Sequence, residues 1–232
     1  MGIAVNAVSI FIGCIIGDRC RRGFSLQNLS VLGICIMIIS LVGFTENIFT
    51  VSSAAFESRG HIVVIFSLLM GNAVGERLKI EDRLSCLSSG ENGAYNAFVD
   101  STVFFGVGGL QICGSILLGI SNDNSQLILK SFVDFPFALL FGGTYGKTAA
   151  FSAIPVAVMQ LLTALIARSA AQMFSDGFVG TLCSMGYIIL FFSGFNLVCD
   201  VRYKVRNVNM LPGVFIAAVL SVISDLTGGF LK

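Results

Sequence analysis

Apolar residues run in long blocks along this chain, and most charged residues fall between the blocks. Eight blocks approach the ~20 residues that an α-helix needs to cross a hydrocarbon core. They cover residues 2–17, 29–45, 61–76, 97–119, 128–147, 149–173, 177–198 and 209–230. The pattern predicts an all-α, polytopic transmembrane helix bundle of about eight spans, some short or Pro-broken. It reads as a single integral membrane domain over residues 1–232. The first and third blocks are short. The fifth and sixth are joined so tightly that a re-entrant or broken arrangement is expected there.

The longest loop, residues 76–96, divides in two. Its first half predicts an amphipathic helix at the interface, with Leu78, Leu84 and Leu87 turned to the membrane. Its SSGENG half reads as a flexible linker.

Composition sharpens the class. Of 232 residues, 55% are hydrophobic and 12% charged, against about 25% charged in a soluble domain. Mean hydropathy is +0.89. A net charge of +1 leaves no basic patch large enough for nucleic acid. The seven cysteines form no CxxC pair, and the single histidine, His61, leaves no histidine-based triad or zinc site. No cofactor or metal is expected.

Charge also sets orientation, because Lys and Arg concentrate in cytoplasmic loops. Arg19, Arg21, Arg22, Arg77, Lys79, Arg83, Lys147, Arg202, Lys204 and Arg206 follow odd-numbered blocks. Only Arg59, Lys130, Arg168 and Lys232 fall on the other side. Loop 76–96 is therefore expected in the cytoplasm and both termini outside. The first block lacks the basic residues that precede a signal peptide's apolar core, so it is expected to stay as a helix.

Three odd blocks end alike, in GCIIGDR, GNAVGER and GGTYGK. A Gly-xxx-Gly face lets helix backbones approach closely in lipid. It suggests an old repeat or close packing of these helices, and it is compatible with a homo-oligomer.

Ionisable residues inside a span are costly and tend to face the protein interior or water. Two segments nearly rhyme, FVDSTVFFGVGG and FVDFPFALLFGG, and each carries one acid. Asp134 has Lys130 one turn before it, Ser131 beside it and Pro136 two residues on. Proline has no N–H, so a carbonyl one turn back loses its donor. A charge pair, a hydroxyl and a freed carbonyl together suit ion coordination in a transporter. The simpler reading is an ion pair pinning the outer end of a helix. Asp100 is expected in the first turn of the fourth helix, complementing its positive N-terminus. In the sixth block Ser152, before Pro155, and Gln160 need partners, as does Asn6 in the first. Gln111 and Ser115 in the fourth pose the same demand. Near the last block, Asn207 or Asn209 is expected to cap the helix.

These residues carry a resemblance. Asn6-Ala7 with Gly13 and Gly17, Phe98 with Gly108, Gly114 and Ser115, Lys130-Ser131 with Asp134, Ser152-Ala153-Ile154-Pro155 with Gln160, and Asn209-Met210-Leu211-Pro212 resemble the pattern of the YqgA/YdfK-like family. That family comprises bacterial inner-membrane proteins defined by a domain of unknown function. The likeness covers nearly the whole chain. Asp100 and Gly146-Lys147-Thr148 depart from it, so Asp134 belongs to the pattern and Asp100 reads as a local addition. The resemblance implies a bacterial cytoplasmic membrane location, with transport the usual expectation.

The function expected is a membrane transporter or channel for an ion or small polar solute. Its site residues are Lys130, Ser131, Asp134, Ser152, Gln160 and Asn6. The alternative is a scaffold or subunit of a larger membrane complex, with the glycine faces serving partner helices. An intramembrane aspartyl enzyme would need Asp100 and Asp134 within a few Å to share a proton. The topology puts them near opposite membrane faces, so no enzyme is expected.

Overall fold

A computed structural model describes residues 1–20, 26–52, 55–58, 61–87, 93–106, 108–171, 176–199 and 203–226. Arg21, Arg22, Arg59, Arg202, Lys232 and most of the SSGENG linker lie outside these residues. Ten α-helices appear among those described: α1 Gly2–Arg19, α2 Leu26–Ile48, α3 His61–Leu78, α4 Ile80–Leu87, α5 Gly93–Gly106, α6 Gly109–Ser121, α7 Ser125–Tyr145, α8 Ala153–Ser169, α9 Asp176–Val198 and α10 Leu211–Leu226. Short 3₁₀ turns, Lys147–Ser152 and Asn207–Met210, lead into α8 and α10.

Each predicted block is helical over most of its described residues, with three differences. The first is a two-stranded antiparallel hairpin between α2 and α3, β1 Phe49–Ser52 and β2 Ala55–Ser58. The second concerns the expected break. The fifth block is one continuous helix, α7, running through Pro136. The fourth block is the broken one, bent by 57° between α5 and α6. The sequence there is FFGVGG, and glycine supports an extended turn more readily than a helix. The third is the length of α5. It starts at Gly93, so Asp100 sits about two turns in rather than at the positive end.

Among the described residues six helices are long and apolar enough to cross a membrane, and the bent α5–α6 pair is a seventh if it crosses as one span. A shorter apolar helix over Asn207–Ile223 is the eighth block. The protein is a multi-pass membrane protein, inverted relative to a water-soluble one. Polar Asn6, Gln160 and Ser115 are wholly buried, while Phe132, Ile154, Ile166, Leu69 and Phe215 are each more than 60% exposed.

The chain forms two compact units. The first holds residues 1–32 and 82–169. Its central contact is α1 against α7. Gly2 meets Leu127, Gly13 meets Ala138 and Gly17 meets Leu139, so the two helices run parallel. The Gly2 N–H donates to Asn124 Oδ1 at 2.7 Å, tying the start of α1 to the start of α7. α6 runs parallel to α8, with Gln111 bonded to Gln160 and Gly119 set against Ala164.

The second unit holds residues 33–81 and 170–232. Here α2 and α9 are antiparallel, meeting at Gly33 and Gly194, where a Cβ on either would lie within 2.7 Å of the other's carbonyl oxygen. α3 and α10 are also antiparallel, through Gly71 on Gly213 and Gly75 on Asn209. Asn209 Oδ1 accepts the Glu81 N–H at 3.1 Å, so it caps α4 rather than α10. Asn207 instead bonds Ser193. α3 and α4 meet at Lys79, whose φ of 51° turns the chain. Of the leucines expected on the interfacial helix, Leu78 is exposed and Leu84 half-buried.

These directions constrain the crossings. A parallel α1–α7 pair requires an odd number of crossings between them. α2, α3 and the α5–α6 pair supply three, provided the bent pair crosses once. The antiparallel pairs α2–α9 and α3–α10 require even numbers, which the same count satisfies.

Candidate functional site

α7 presents two faces. Phe132 is 74% exposed, whereas Lys130, Ser131 and Asp134 are each no more than 5% exposed. The polar triplet therefore points away from lipid, against α1. Lys130 Nζ and Asp134 Oδ2 form an ion pair one turn apart. Lysine preceding the acid is the less favourable order along a helix. Helix stabilisation by itself therefore gives little reason for the pair.

Ser131 Oγ donates back to the Leu127 carbonyl at 2.7 Å. The Ser131 carbonyl accepts Ser9 Oγ from α1, also at 2.7 Å. Pro136 has no N–H, so the Phe132 carbonyl has no helical donor. Two successive α7 carbonyls thus lie at the point where the ladder is interrupted or tied by a side chain.

Asn6 on α1 completes the cluster. It is wholly buried and adjoins the Asp134 carboxylate. Neither of its side-chain atoms makes a hydrogen bond of ordinary geometry within the protein. Each unsatisfied buried polar atom costs about 1–3 kcal/mol. Such an amide beside a buried ion pair offers both a donor and an acceptor to a small guest.

Of the six residues singled out from sequence, Asn6, Lys130 and Asp134 meet here, and Ser131 lies beside Lys130 with its hydroxyl turned back to Leu127. Ser152 does not join their bonds. It is buried at the 3₁₀ turn, where its hydroxyl donates to the Ala149 carbonyl at 2.7 Å. Gln160 pairs across α8 and α6 instead, its Nε2 donating to Gln111 Oε1 at 2.8 Å. Gln111 Nε2 donates in turn to the Val156 carbonyl at 3.2 Å. Gln111 was not among those six; its signal in the sequence was an amide in mid-block that needed a partner. Asp100 is remote from the cluster and adjoins Tyr145 at the end of α7. Tyr145 lies about three turns, or ~16 Å, along the helix from Asp134.

The family's sequence profile matches residues 1–222. This chain belongs to the family described as protein of unknown function, DUF554. It is 24% identical over 243 residues to the uncharacterized protein YqgA of Escherichia coli K12, across 95% of this chain and 96% of that protein. No solved structure matches. Membership of DUF554 agrees with the resemblance carried by Asn6, Lys130-Ser131, Asp134 and the two Pro-containing turns.

Proposed function

We propose that this DUF554 protein is a transporter or channel for an ion or small polar solute, with Asn6, Lys130, Ser131 and Asp134 at its binding site. The observation that carries the reading is Asn6. It is fully enclosed, makes no hydrogen bond of ordinary geometry, and sits against the Asp134 carboxylate of a buried Lys–Asp pair, beside the carbonyl that Pro136 leaves without a helical donor. A helix carbonyl left without its donor inside a membrane protein can take the place of water around an ion. On this reading the protein sits in a bacterial cytoplasmic membrane with both termini outside, and it catalyses no reaction.

The scaffold alternative draws less support. Its feature was glycine faces available to partner helices. Gly13, Gly17, Gly71 and Gly75 are instead occupied by α7, α10 and Asn209 of the same chain.

The test is unfolding temperature of the detergent-purified protein against monovalent and divalent salts and pH, with Asp134→Asn in parallel. An ion that stabilises the wild type, with its effect lost in a normally folded Asp134→Asn, supports the reading. Indifference of the wild type to every ion and pH moves the assignment to a scaffold.

A further inference from the structure

We infer that an apolar cavity at mid-span between α2, α3 and α9 is a binding site for the methyl end of a membrane lipid's acyl chain. The cavity lies within the second compact unit, and nothing about it depends on the transport reading.

Ser40, Leu41 and Phe44 of α2, Leu68 of α3, and Tyr187 and Phe191 of α9 line the cavity. It measures about 200 Å³, and its walls are almost wholly apolar. The Tyr187 ring lies over Gly43, where a Cβ would overlap it, so the glycine lets α9 set an aromatic ring against α2. The Ser40 hydroxyl donates back to the Ile36 carbonyl of its own helix at 2.6 Å. A polar guest would therefore lose its hydrogen bonds to water and find few in return. The volume exceeds the ~150 Å³ of an apolar cavity that stays dry and takes up benzene. It falls short of the ~300 Å³ at which ordinary small-molecule pockets begin. A short run of methylenes fits such a space, and a lipid headgroup does not.

Depth decides the occupant. Ser40 and Leu41 fall near the middle of the span Ser30–Ile48, Leu68 near the middle of His61–Leu78, and Tyr187 at the middle of Gly177–Val198. All three helices therefore place the cavity at the centre of the bilayer. The hydrocarbon core is ~30 Å thick, so this centre lies about 15 Å from either polar border, where the ends of acyl chains are found. The cavity also opens towards lipid. Leu41 on its rim is exposed, and so are Ile65 and Leu69, which flank Leu68 on α3. Lipid tails are as apolar as leucine, so a chain gains no hydrophobic energy by moving from lipid to protein. What holds it is dispersion contact with walls that would otherwise face an empty space.

The experiment reconstitutes the full chain in phosphatidylcholine vesicles with a trace of the same lipid carrying a diazirine at the methyl end of one acyl chain. A parallel sample carries the diazirine beside the ester. After photolysis, mass spectrometry locates the adducts. The methyl-end probe is expected to label Tyr187, and the ester-side probe is not. Tyr187 is only 2% exposed, so lipid that merely surrounds the protein labels the exposed Ile65 and Leu69 instead. In Leu68→Phe, which fills the cavity, the Tyr187 adduct should be lost while the Leu69 adduct persists. Leu41→Phe closes the mouth from an exposed position, where substitutions disturb the fold little. It should give the same loss, and it serves if Leu68→Phe does not fold. Methyl-end adducts confined to exposed positions, equal labelling of Tyr187 by the ester-side probe, or an undiminished Tyr187 adduct in the folded variants overturns the inference. An unlabelled Tyr187 in a chain that runs as a dimer also overturns it and gives the cavity to a second copy. The salt and pH response of Asp134→Asn is a separate measurement and tests only the ion site.

Discussion

Gly142 of α7 lies so close to Cys14 of α1 that a Cβ on it would overlap the Cys14 carbonyl oxygen. Gly17 makes the reciprocal approach to the Leu139 carbonyl. The parallel pairing of α1 and α7, and with it the Asn6–Asp134 juxtaposition, depends on this backbone contact. Gly142→Val and Gly17→Val are expected to lower stability by about 1–3 kcal/mol or more, since backbone cannot give way as a flexible side chain can. Gly93→Ala, with nothing within 4 Å of the added atom, should be neutral. Unfolding temperatures of the three variants check this.

The Lys130–Asp134 pair is expected to be strongly non-additive. Lys130→Met leaves a buried carboxylate without its partner and should cost about 3–5 kcal/mol. Replacing both residues, as Lys130→Met/Asp134→Leu, should restore most of that while abolishing any ion response. A double-mutant cycle by denaturant or thermal unfolding reads the coupling. Equal losses in the single and double variants would contradict it.

Three native cysteines report the topology. Cys20 and Cys86 are exposed and Cys199 half-buried, and they follow the first, third and seventh spans. All three should face the cytoplasm. A membrane-impermeant thiol reagent should label them in inside-out vesicles and not in intact spheroplasts, tested one cysteine at a time. Labelling of Cys86 and Cys199 from opposite sides would break the crossing count.

Asp123, in the loop before α7, accepts the Ser125 N–H at 2.9 Å and the Ser125 hydroxyl at 2.6 Å. These bonds, the hydroxyl's first, hold its carboxyl below the usual range. A depressed carboxylate contributes stability above its unfolded value of about 3.9, and the contribution disappears as pH falls through the lower folded value. Asp123→Ala should therefore be slightly less stable than wild type at pH 7, with the gap closing in acid. A pH series of unfolding temperatures for the two proteins measures it.

Much of the fold was legible because a bilayer demands long apolar runs, and this chain supplies them in separable blocks. Among the described residues all eight are largely helical, and the pairing directions fit their count when the bent α5–α6 pair crosses once. The break was misplaced because Pro136 is a stronger local signal than FFGVGG. Yet α7 continues through the proline, with α1 packed along it, while the glycines open the fourth span. The β1–β2 hairpin escaped notice in a chain otherwise written in helical blocks.

Within the site, Lys130, Ser131 and Asp134 were readable because they share one helix at one-turn spacing. Asn6 was readable only as a polar residue needing a partner, as were Gln111, Ser152 and Gln160. Which of these would meet depended on contacts between residues far apart in sequence. Ser9 and Ser131, bonded across α1 and α7, are 122 positions apart. By itself the sequence determined membrane class, helix content, the order of crossings and the chemistry carried on α7, because hydropathy and one-turn spacing are local properties. The tertiary structure alone decided that α1 lies parallel to α7 with Asn6 beside Asp134, and that Gln160 turns to Gln111. Those choices follow from which glycine faces let two backbones close together, and no local pattern encodes them.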